Sequence, residues 1–220
     1  MADDDQAPAA PARRRENTRE RLIEAAFEVF AEQGVSAASV EAIVERAGFT
    51  RGAFYSNFES KVELFFAIAD ERYAASAEGL AAGVDDIFAD ALPEGAPITA
   101  KAVEGVVARV LALAHTEPKW ELFELEFEAL ALRDPEIAAR YAGHQQLVIE
   151  GLARLLAAAL ERGGLRFTLP PEQATRLLVS AYSAAARRHI ASGRSAPLSP
   201  SDLEDVTALA YLLTERASQH

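Results

Sequence analysis

Prolines and glycines divide this chain into segments of helix length, and that division limits its fold more than any other feature. Proline is favoured at the first position of an α-helix and glycine just after its end. Hairpin signals such as Asn-Gly and Asp-Gly are absent, and β-branched runs are short. The predicted starts include Pro118, Pro135, Pro171 and Pro200, and the predicted ends include Gly34, Gly48, Gly163 and Gly193. We therefore predict an all-α fold of about nine or ten helices and no strand.

The composition excludes several kinds of functional site. Because cysteine is absent from the 220 residues, disulfides, thiolate metal sites and cysteine nucleophiles are excluded. The four histidines form no His-x-x-x-His pair, and no phosphate-binding loop, nucleophile elbow or paired-carboxylate motif occurs. We expect no metal, no cofactor and no enzymatic activity. No apolar run reaches about 18 residues and the start is acidic, which predicts a cytoplasmic protein without a membrane partner.

The formal charge of −12 is unevenly distributed. Residues 1–12 carry −3 and contain no aromatic residue, so we predict a disordered tail before a first helix that starts near Asn17. Residues 13–61 carry no net charge, and residues 62–220 carry −9. Acidic surfaces repel DNA, itself a polyanion. The neutral 13–61 segment is therefore the part of the chain suited to approach DNA.

A stretch in this segment has the spacing of a helix-turn-helix motif. Residues 39–58 read SVEAIVERAGFTRGAFYSNF, which predicts two short helices joined by a turn at Gly48. An arginine pairs with guanine, an alanine contacts the thymine methyl group, and serine or asparagine binds a base edge or a phosphate. The predicted exposed positions of the second helix include no acid and are Arg51, Gly52, Ala53, Tyr55, Ser56 and Asn57. An ordinary antiparallel helix pair in a bundle has the same spacing.

The residues around this motif resemble those of a known family. Residues 17–66 are similar in order, spacing and residue type to the DNA-binding domain of TetR-family (tetracycline-repressor-like) transcriptional regulators. The matching segments are AAF at 25–27, FAEQG at 30–34, AGFTRGAFY at 47–55, SK at 60–61 and LF at 64–65. Val44 departs from the family pattern, which usually has alanine there. The resemblance implies a three-helix DNA-binding domain over 13–61 and a helical ligand-binding and dimerisation domain over 62–220.

The resemblance also implies which residues contact double-stranded DNA. It makes Arg51, Ala53 and Asn57 the base readers, and Thr50, Tyr55 and Ser56 the sugar–phosphate contacts, with Gly52 permitting close approach. Ser39 and Lys61 stand at two helix starts and are expected to bind phosphates. Residues 13–15 are three arginines, which form either an arm into a neighbouring minor groove or a solvated charge run.

In the family, the later helices enclose a small-molecule effector. A helical wheel over the segment PKWELFELEFEALAL, which begins at Pro118, places Glu121, Glu124 and Glu128 on the solvent face and Glu126 among apolar residues. A carboxylate on an apolar face is costly unless it is paired. Glu126 is therefore predicted either to meet a donor or cation of the effector or to form a structural ion pair.

Aromatic side chains supply further candidates for an effector pocket. They lie at helical spacing or in apolar stripes, and the pattern fits either pocket walls or ordinary core. These candidates, with one histidine, are Phe65, Trp120, Phe123, Phe127, Tyr141 and His144. Such walls predict a mainly apolar effector with one or two hydrogen-bond donors.

The last two predicted helices, about 171–191 and 200–217, are rich in leucine and alanine. Two copies around a two-fold axis would make a four-helix interface, which the resemblance also implies. A homodimer then reads two half-sites of a near-palindromic operator. We predict a ligand-responsive transcriptional repressor that a small-molecule effector releases from DNA. A ligand-independent or activating DNA-binding regulator is the alternative.

Overall fold

The structure is a computed structural model that describes residues 10–91, 99–113, 118–194 and 198–217. These residues form nine α-helices, one 3-10 helix and two short strands. The elements are α1 (Ala10–Gln33), α2 (Val40–Ala47), α3 (Arg51–Tyr55), α4 (Lys61–Ala91), α5 (Ala100–Leu113), α6 (Pro118–Ala131), α7 (Pro135–Arg162), β1 (Leu165–Phe167), α8 (Pro171–Ala191), the 3-10 helix Pro200–Leu203, α9 (Glu204–Leu212) and β2 (Thr214–Arg216). The chain divides into an N-terminal unit that ends at Arg72 and a C-terminal unit that begins at Tyr73. The predicted all-α fold class is confirmed.

Aromatic side chains build the core of the N-terminal unit. Phe27 and Phe30 of α1, Phe54 of α3 and Phe65 of α4 are each at most 1% exposed. The rings of Phe30 and Phe65 have centroids 5.9 Å apart. Because burying one such side chain contributes about 2–3 kcal/mol, the burial of Phe54 fixes the orientation of α3. It determines which side of α3 faces away from the core.

Helix α7 is central to the C-terminal unit, where it packs against α6, α8 and β1. Its start is fixed by Asp134, whose side chain accepts hydrogen bonds from the backbone N–H groups of Glu136 and Ile137 at 2.9 and 3.3 Å. Pro135 occupies the first turn, as the sequence pattern predicted. None of the helices within the described ranges is long and apolar enough to cross a membrane.

The structure contains two short strands, so the prediction that the chain has no strand is wrong. They pair antiparallel, with Leu165 opposite Arg216 and Phe167 opposite Thr214. Gly164 has a φ of +69°, which lets the chain turn sharply out of α7, and Leu165 is then buried. Strands of three residues are too short to show an alternating pattern, and their partners lie far apart in sequence.

Helix α1 begins at Ala10 rather than near Asn17. Residues 10–12, expected in the tail, are therefore helical, while residues 1–9 lie outside the described part of the chain. Alanine and arginine favour helix. The guanidinium of Arg15 also donates to the backbone carbonyl of Ser56 at 3.1 Å, which ties this end of α1 to the end of α3.

The boundary between the two units follows Arg72, whereas the predicted domain boundary followed Lys61. The first turns of α4 belong to the N-terminal unit because Leu64, Phe65 and Ile68 are buried there. Phe65, one of the predicted pocket residues, therefore lies in the N-terminal core against Phe30.

Candidate nucleic-acid interface and an acidic cluster

Two side-chain caps and one glycine shape the helix-turn-helix. Ser39 accepts a hydrogen bond from the N–H of Ala42 at 3.1 Å, and Thr50 accepts one from the N–H of Ala53 at 3.3 Å. These bonds satisfy N–H groups that the first turns of α2 and α3 leave unpaired. Gly48 lies between the helices with φ +72°, a conformation that strains other residues. Ser39 and Thr50, both predicted to contact the DNA backbone, thus use their hydroxyls as helix caps in this structure.

Most of the positions predicted to be exposed on and just after α3 are exposed in the structure. Arg51, Gly52 and Ser56 are exposed, and Tyr55 is 52% exposed although it is aromatic. Phe54, between them, is fully buried. A large aromatic residue with a hydroxyl that stays exposed on a short helix is available to pack on a sugar or bind a phosphate.

Two of the predicted base readers are less accessible. Ala53 and Asn57 are half-buried. The side-chain amide of Asn57 donates to the backbone carbonyl of Ala53 at 2.8 Å and to the hydroxyl of Ser56 at 3.3 Å. These bonds satisfy the C-terminal end of α3, so Asn57 must exchange them before it binds a base.

Arg51 is paired with an acid of the preceding helix. Its Nη1 lies 2.7 Å from Oε1 of Glu41, and its guanidinium carbon lies 5.8 Å from the centroid of the Tyr55 ring. A hydrogen bond with Tyr55 and the charge of Glu41 raise the pKa of Arg51. Both members of the ion pair are more than half exposed. Arg51 therefore keeps its charge and is able to exchange Glu41 for an acceptor on DNA.

Lys61 holds the turn between α1 and α2. Its Nζ donates to the backbone carbonyls of Val35 at 3.1 Å and Ala38 at 2.6 Å. Two of the three ammonium hydrogens are thereby used inside the protein. The structure adds an internal role to the phosphate contact that the resemblance implied for Lys61.

One arginine of α1 supports the interface and was missed from the sequence. Arg21 donates to the carbonyl of Ala47, the last residue of α2, at 2.8 Å, and its guanidinium lies 4.7 Å from the centroid of the Phe49 ring. A helix C-terminus leaves carbonyls that a cation satisfies well. The sequence shows that α2 ends at Gly48 and therefore leaves carbonyls unpaired. Only the fold shows that the side chain of Arg21 binds one of them.

The three arginines at 13–15 belong to the first helix and not to an arm that precedes it. They lie within α1, and Arg15 binds the carbonyl of Ser56 as described above.

Comparison with known proteins fits this geometry. Residues 22–68 match the family model described as "Bacterial regulatory proteins, tetR family". Residues 22–68 thus match the DNA-binding domain of the TetR family. The resemblance noted over residues 17–66 is confirmed.

Two relatives and one solved structure are also similar to this chain, two of them over most of its length. The transcriptional repressor AcnR of Corynebacterium efficiens is 28% identical over 159 residues, which are 71% of this chain and 73% of AcnR. The transcriptional regulator SrpR of Pseudomonas putida is 49% identical over 57 residues, 26% of this chain and 27% of SrpR. The solved structure of the fatty acid degradation regulator FadR from Bacillus halodurans has a TM-score of 0.64 at 18% identity, covering 94% of this chain and 97% of that one. The last comparison shows a shared fold.

In the C-terminal unit, Glu121, Glu124 and Glu128 of α6 form an acidic cluster, in which Glu121 is buried and the other two are half-buried. Their spacing places them on one face of the helix. The helical wheel assigned that face to solvent, and this prediction is wrong for Glu121, which is only 4% exposed. Helix α6 packs against both α7 and α8, so little of its surface is left for water. Glu126, the predicted pocket acid, is half-buried.

The members of the acidic cluster differ in their partners. Glu124 accepts a hydrogen bond from the hydroxyl of Tyr73 and one from Nε2 of Gln145 at 3.2 Å. Glu128 pairs with Arg187 of α8 at 3.1 Å. Within the described residues, Oε2 of Glu121 is buried without a hydrogen-bond donor. A buried carboxylate without a partner is costly, so this atom is the one unexplained polar group of the cluster.

Burial changes the acidity of the cluster. It raises the pKa of Glu121 to about 7 against the opposing charge of Arg187. It also raises the pKa of Glu124 to about 7, although hydrogen bonding and Arg187 favour the ionised form. Burial and the charge of Glu124 raise the pKa of Tyr141 to about 12. Burial therefore favours the protonated form of both carboxyl groups.

Aromatic rings adjoin the acidic cluster. The ring of Tyr73 lies 5.0 Å from Trp120, edge to face, and 4.2 Å from His144. Trp120 stacks on Phe123 at 5.1 Å. The structure thus brings together three of the predicted pocket residues around Tyr73, which the sequence did not single out.

The other predicted pocket residues form a second contact. Phe127 and Tyr141 meet with centroids 4.7 Å apart. Phe123 and Phe127 are at most 1% exposed, as core residues are. Among the residues that the structure describes, no three of His, Asp and Glu are grouped so as to hold a metal ion.

Proposed function

We propose that this protein is a homodimeric transcriptional repressor that binds a near-palindromic operator through α3 and is released by a small-molecule effector. The observation that carries the proposal is the acid-free, exposed surface of α3, with Arg51 and Tyr55 outward and Phe54 anchored inward. A short helix so anchored presents its side chains to the major groove. Arg51 reads guanine, Tyr55 and Ser56 hold the backbone, and Gly52 allows close approach.

A dimer is supported by apolar side chains that α8 and α9 leave exposed. Leu177 of α8 is 42% exposed, and Tyr211 and Leu212 of α9 are 43% and 70% exposed. The two helices also pack against each other. A two-fold interface built on these helices buries such side chains and places two α3 helices on half-sites one helical turn or a multiple apart. Sedimentation should give twice the 23.7 kDa chain mass.

Release by an effector is supported by the acidic cluster and its adjoining rings, because Oε2 of Glu121 is buried there without a hydrogen-bond donor among the described residues. Repression is supported by AcnR, which is named a repressor and aligns with most of this chain. In this proposal the effector stabilises a conformation in which the two α3 helices no longer match successive grooves.

Selection of binding sites from random duplex DNA tests the proposal. The intact protein should enrich a near-palindromic site, and Arg51→Ala should lose that preference while it remains folded and dimeric. Arg109→Ala is the matched control, because Arg109 is likewise exposed and paired with an acid, Asp90, but lies on α5. The control should select the same site as the parent. Unchanged selection by Arg51→Ala would contradict the assignment of α3.

A further inference from the structure

We propose that the acidic cluster binds an organic cation with an aromatic body, and that this is the chemical class of the effector. The inference deepens the proposed function and rests on it, because it assigns a ligand to the same regulator. The site is formed by the acidic cluster together with Tyr73, Trp120 and His144, all in the C-terminal unit.

The charges of the site favour a cation. The acidic cluster has three carboxyl groups, while Arg187 is the positive group that opposes their shifts and is itself bound to Glu128. Glu121 is only 4% exposed, and its Oε2 is buried without a hydrogen-bond donor in the described residues. A bound cation supplies the missing positive charge, whereas an anion meets repulsion from the same groups.

The rings define the body of the ligand. A cation is attracted to the face of an aromatic ring within about 6 Å, with tryptophan the best partner and tyrosine next. Trp120 and His144 both contact the ring of Tyr73. An organic cation gains both carboxylate and ring contacts, and an aromatic substituent stacks among the rings at little cost.

Tyr73 makes the carboxylate and ring contacts that the proposed ligand would use. Its hydroxyl donates to Glu124, and its ring contacts Trp120 and His144. A cation that binds Glu124 releases Tyr73 from this bond. Tyr73 is part of α4, whose first turns belong to the N-terminal unit, so the exchange acts on a helix that both units share.

Binding of the cation should depend on pH, since it requires ionised carboxylates. The titratable and charged groups next to Glu121 and Glu124 are Tyr73 from α4, Glu128 from α6, Tyr141 from α7 and Arg187 from α8, and His144 of α7 contacts the ring of Tyr73. Because burial raises the pKa of both carboxyl groups to about 7, a cation displaces protons below this pH. Its affinity should therefore rise by up to about tenfold per pH unit between pH 6 and 7 and level off above pH 8.

The test uses the fluorescence of Trp120, the single tryptophan of the chain. Phenyltrimethylammonium and its neutral isostere tert-butylbenzene differ in charge but little in shape. The full-length protein should show saturable quenching by the cation, with at least about tenfold higher affinity than for the isostere. Glu124→Gln and Glu121→Gln should each lower the affinity for the cation about tenfold. Glu161→Gln, at an exposed position of α7, should leave it unchanged.

The outcomes separate this inference from the proposed function. Equal affinity for the two probes, no saturable quenching by the cation, or a flat pH dependence overturns the assignment of a cation. If tert-butylbenzene alone releases the selected DNA, the regulator responds to ligands and only the ligand class is wrong. If the cation binds as expected but the selected DNA stays bound, the cation site stands and release by this effector is refuted.

Discussion

Nη1 of Arg51 lies 2.7 Å from Oε1 of Glu41, so the arginine assigned to base reading is paired with a carboxylate of α2 in the free protein. An exposed ion pair of this kind contributes about 0.2–1 kcal/mol. DNA binding has to break it, and the carboxylate it leaves behind faces a polyanion. Glu41 therefore opposes binding in two ways.

Glu41→Gln should accordingly strengthen DNA binding. We expect affinity for the selected site to rise about two- to fivefold, which corresponds to the loss of one exposed ion pair. The unfolding free energy should change by less than about 0.5 kcal/mol. Fluorescence anisotropy with labelled duplex measures the affinity, and Glu45→Gln, also exposed on α2, is the control. Weaker binding by Glu41→Gln would show instead that Glu41 orients Arg51 for its base.

The sequence predicted the helix-turn-helix well because its determinants are local. Caps at Ser39 and Thr50 and the left-handed Gly48 act over three or four residues, and all are visible in the order of residue types. Contacts such as Arg21 with Ala47 join distant segments, and no local pattern reports them. The turn is therefore predictable from local sequence, whereas the arginine that binds the end of α2 is known only from the fold.

The acidic cluster shows the other limit of sequence reasoning. A helical wheel assumes that a carboxylate-rich face meets water. Helix α6 has neighbours on more than one side, and Tyr73, Gln145 and Arg187 supply partners for two of its carboxyl groups. These partners come from three different helices. The buried position of Glu121 therefore follows from packing and was not predictable from α6 alone.

Gly48→Ala should destabilise the protein. A left-handed residue with a Cβ costs about 1–2 kcal/mol, and the new Cβ would lie 3.4 Å from Nη2 of Arg21. Urea unfolding should show a loss of that size. Gly105→Ala is the control, because Gly105 lies in α5 and its Cβ would meet no atom within 4 Å. That substitution should stabilise the protein by up to about 1 kcal/mol. Equal effects of the two substitutions would contradict the role assigned to the turn.

Lys61→Met should cost stability because Nζ donates to two backbone carbonyls. Hydrogen bonds to charged groups are worth about 1.5–3 kcal/mol, so we expect the unfolding free energy to fall by about 2 kcal/mol. Lys101→Met, at an exposed position of α5, should change it by less than about 0.5 kcal/mol. The salt dependence of DNA binding is the second measurement. Unchanged stability with a slope smaller by about one unit would indicate a phosphate contact without the internal role.

Glu121→Gln should stabilise the protein, and increasingly so as the pH rises. Burial raises the pKa of this carboxyl from 4.5 to about 7, so the native state binds more protons than the unfolded state between these values. The unfolding free energy of the parent therefore falls as the pH increases through this window. Glutamine mimics the protonated form and removes this dependence.

The unfolding free energy of Glu121→Gln should exceed that of the parent by less than about 1 kcal/mol at pH 5 and by about 3 kcal/mol at pH 8. The size of this change follows because one pKa unit corresponds to about 1.4 kcal/mol. Urea unfolding at several pH values measures it, with Glu161→Gln as the exposed control. Parallel stability curves for the parent and Glu121→Gln would mean that Glu121 is solvated or paired in solution. The same result would remove the uncompensated charge on which cation binding depends.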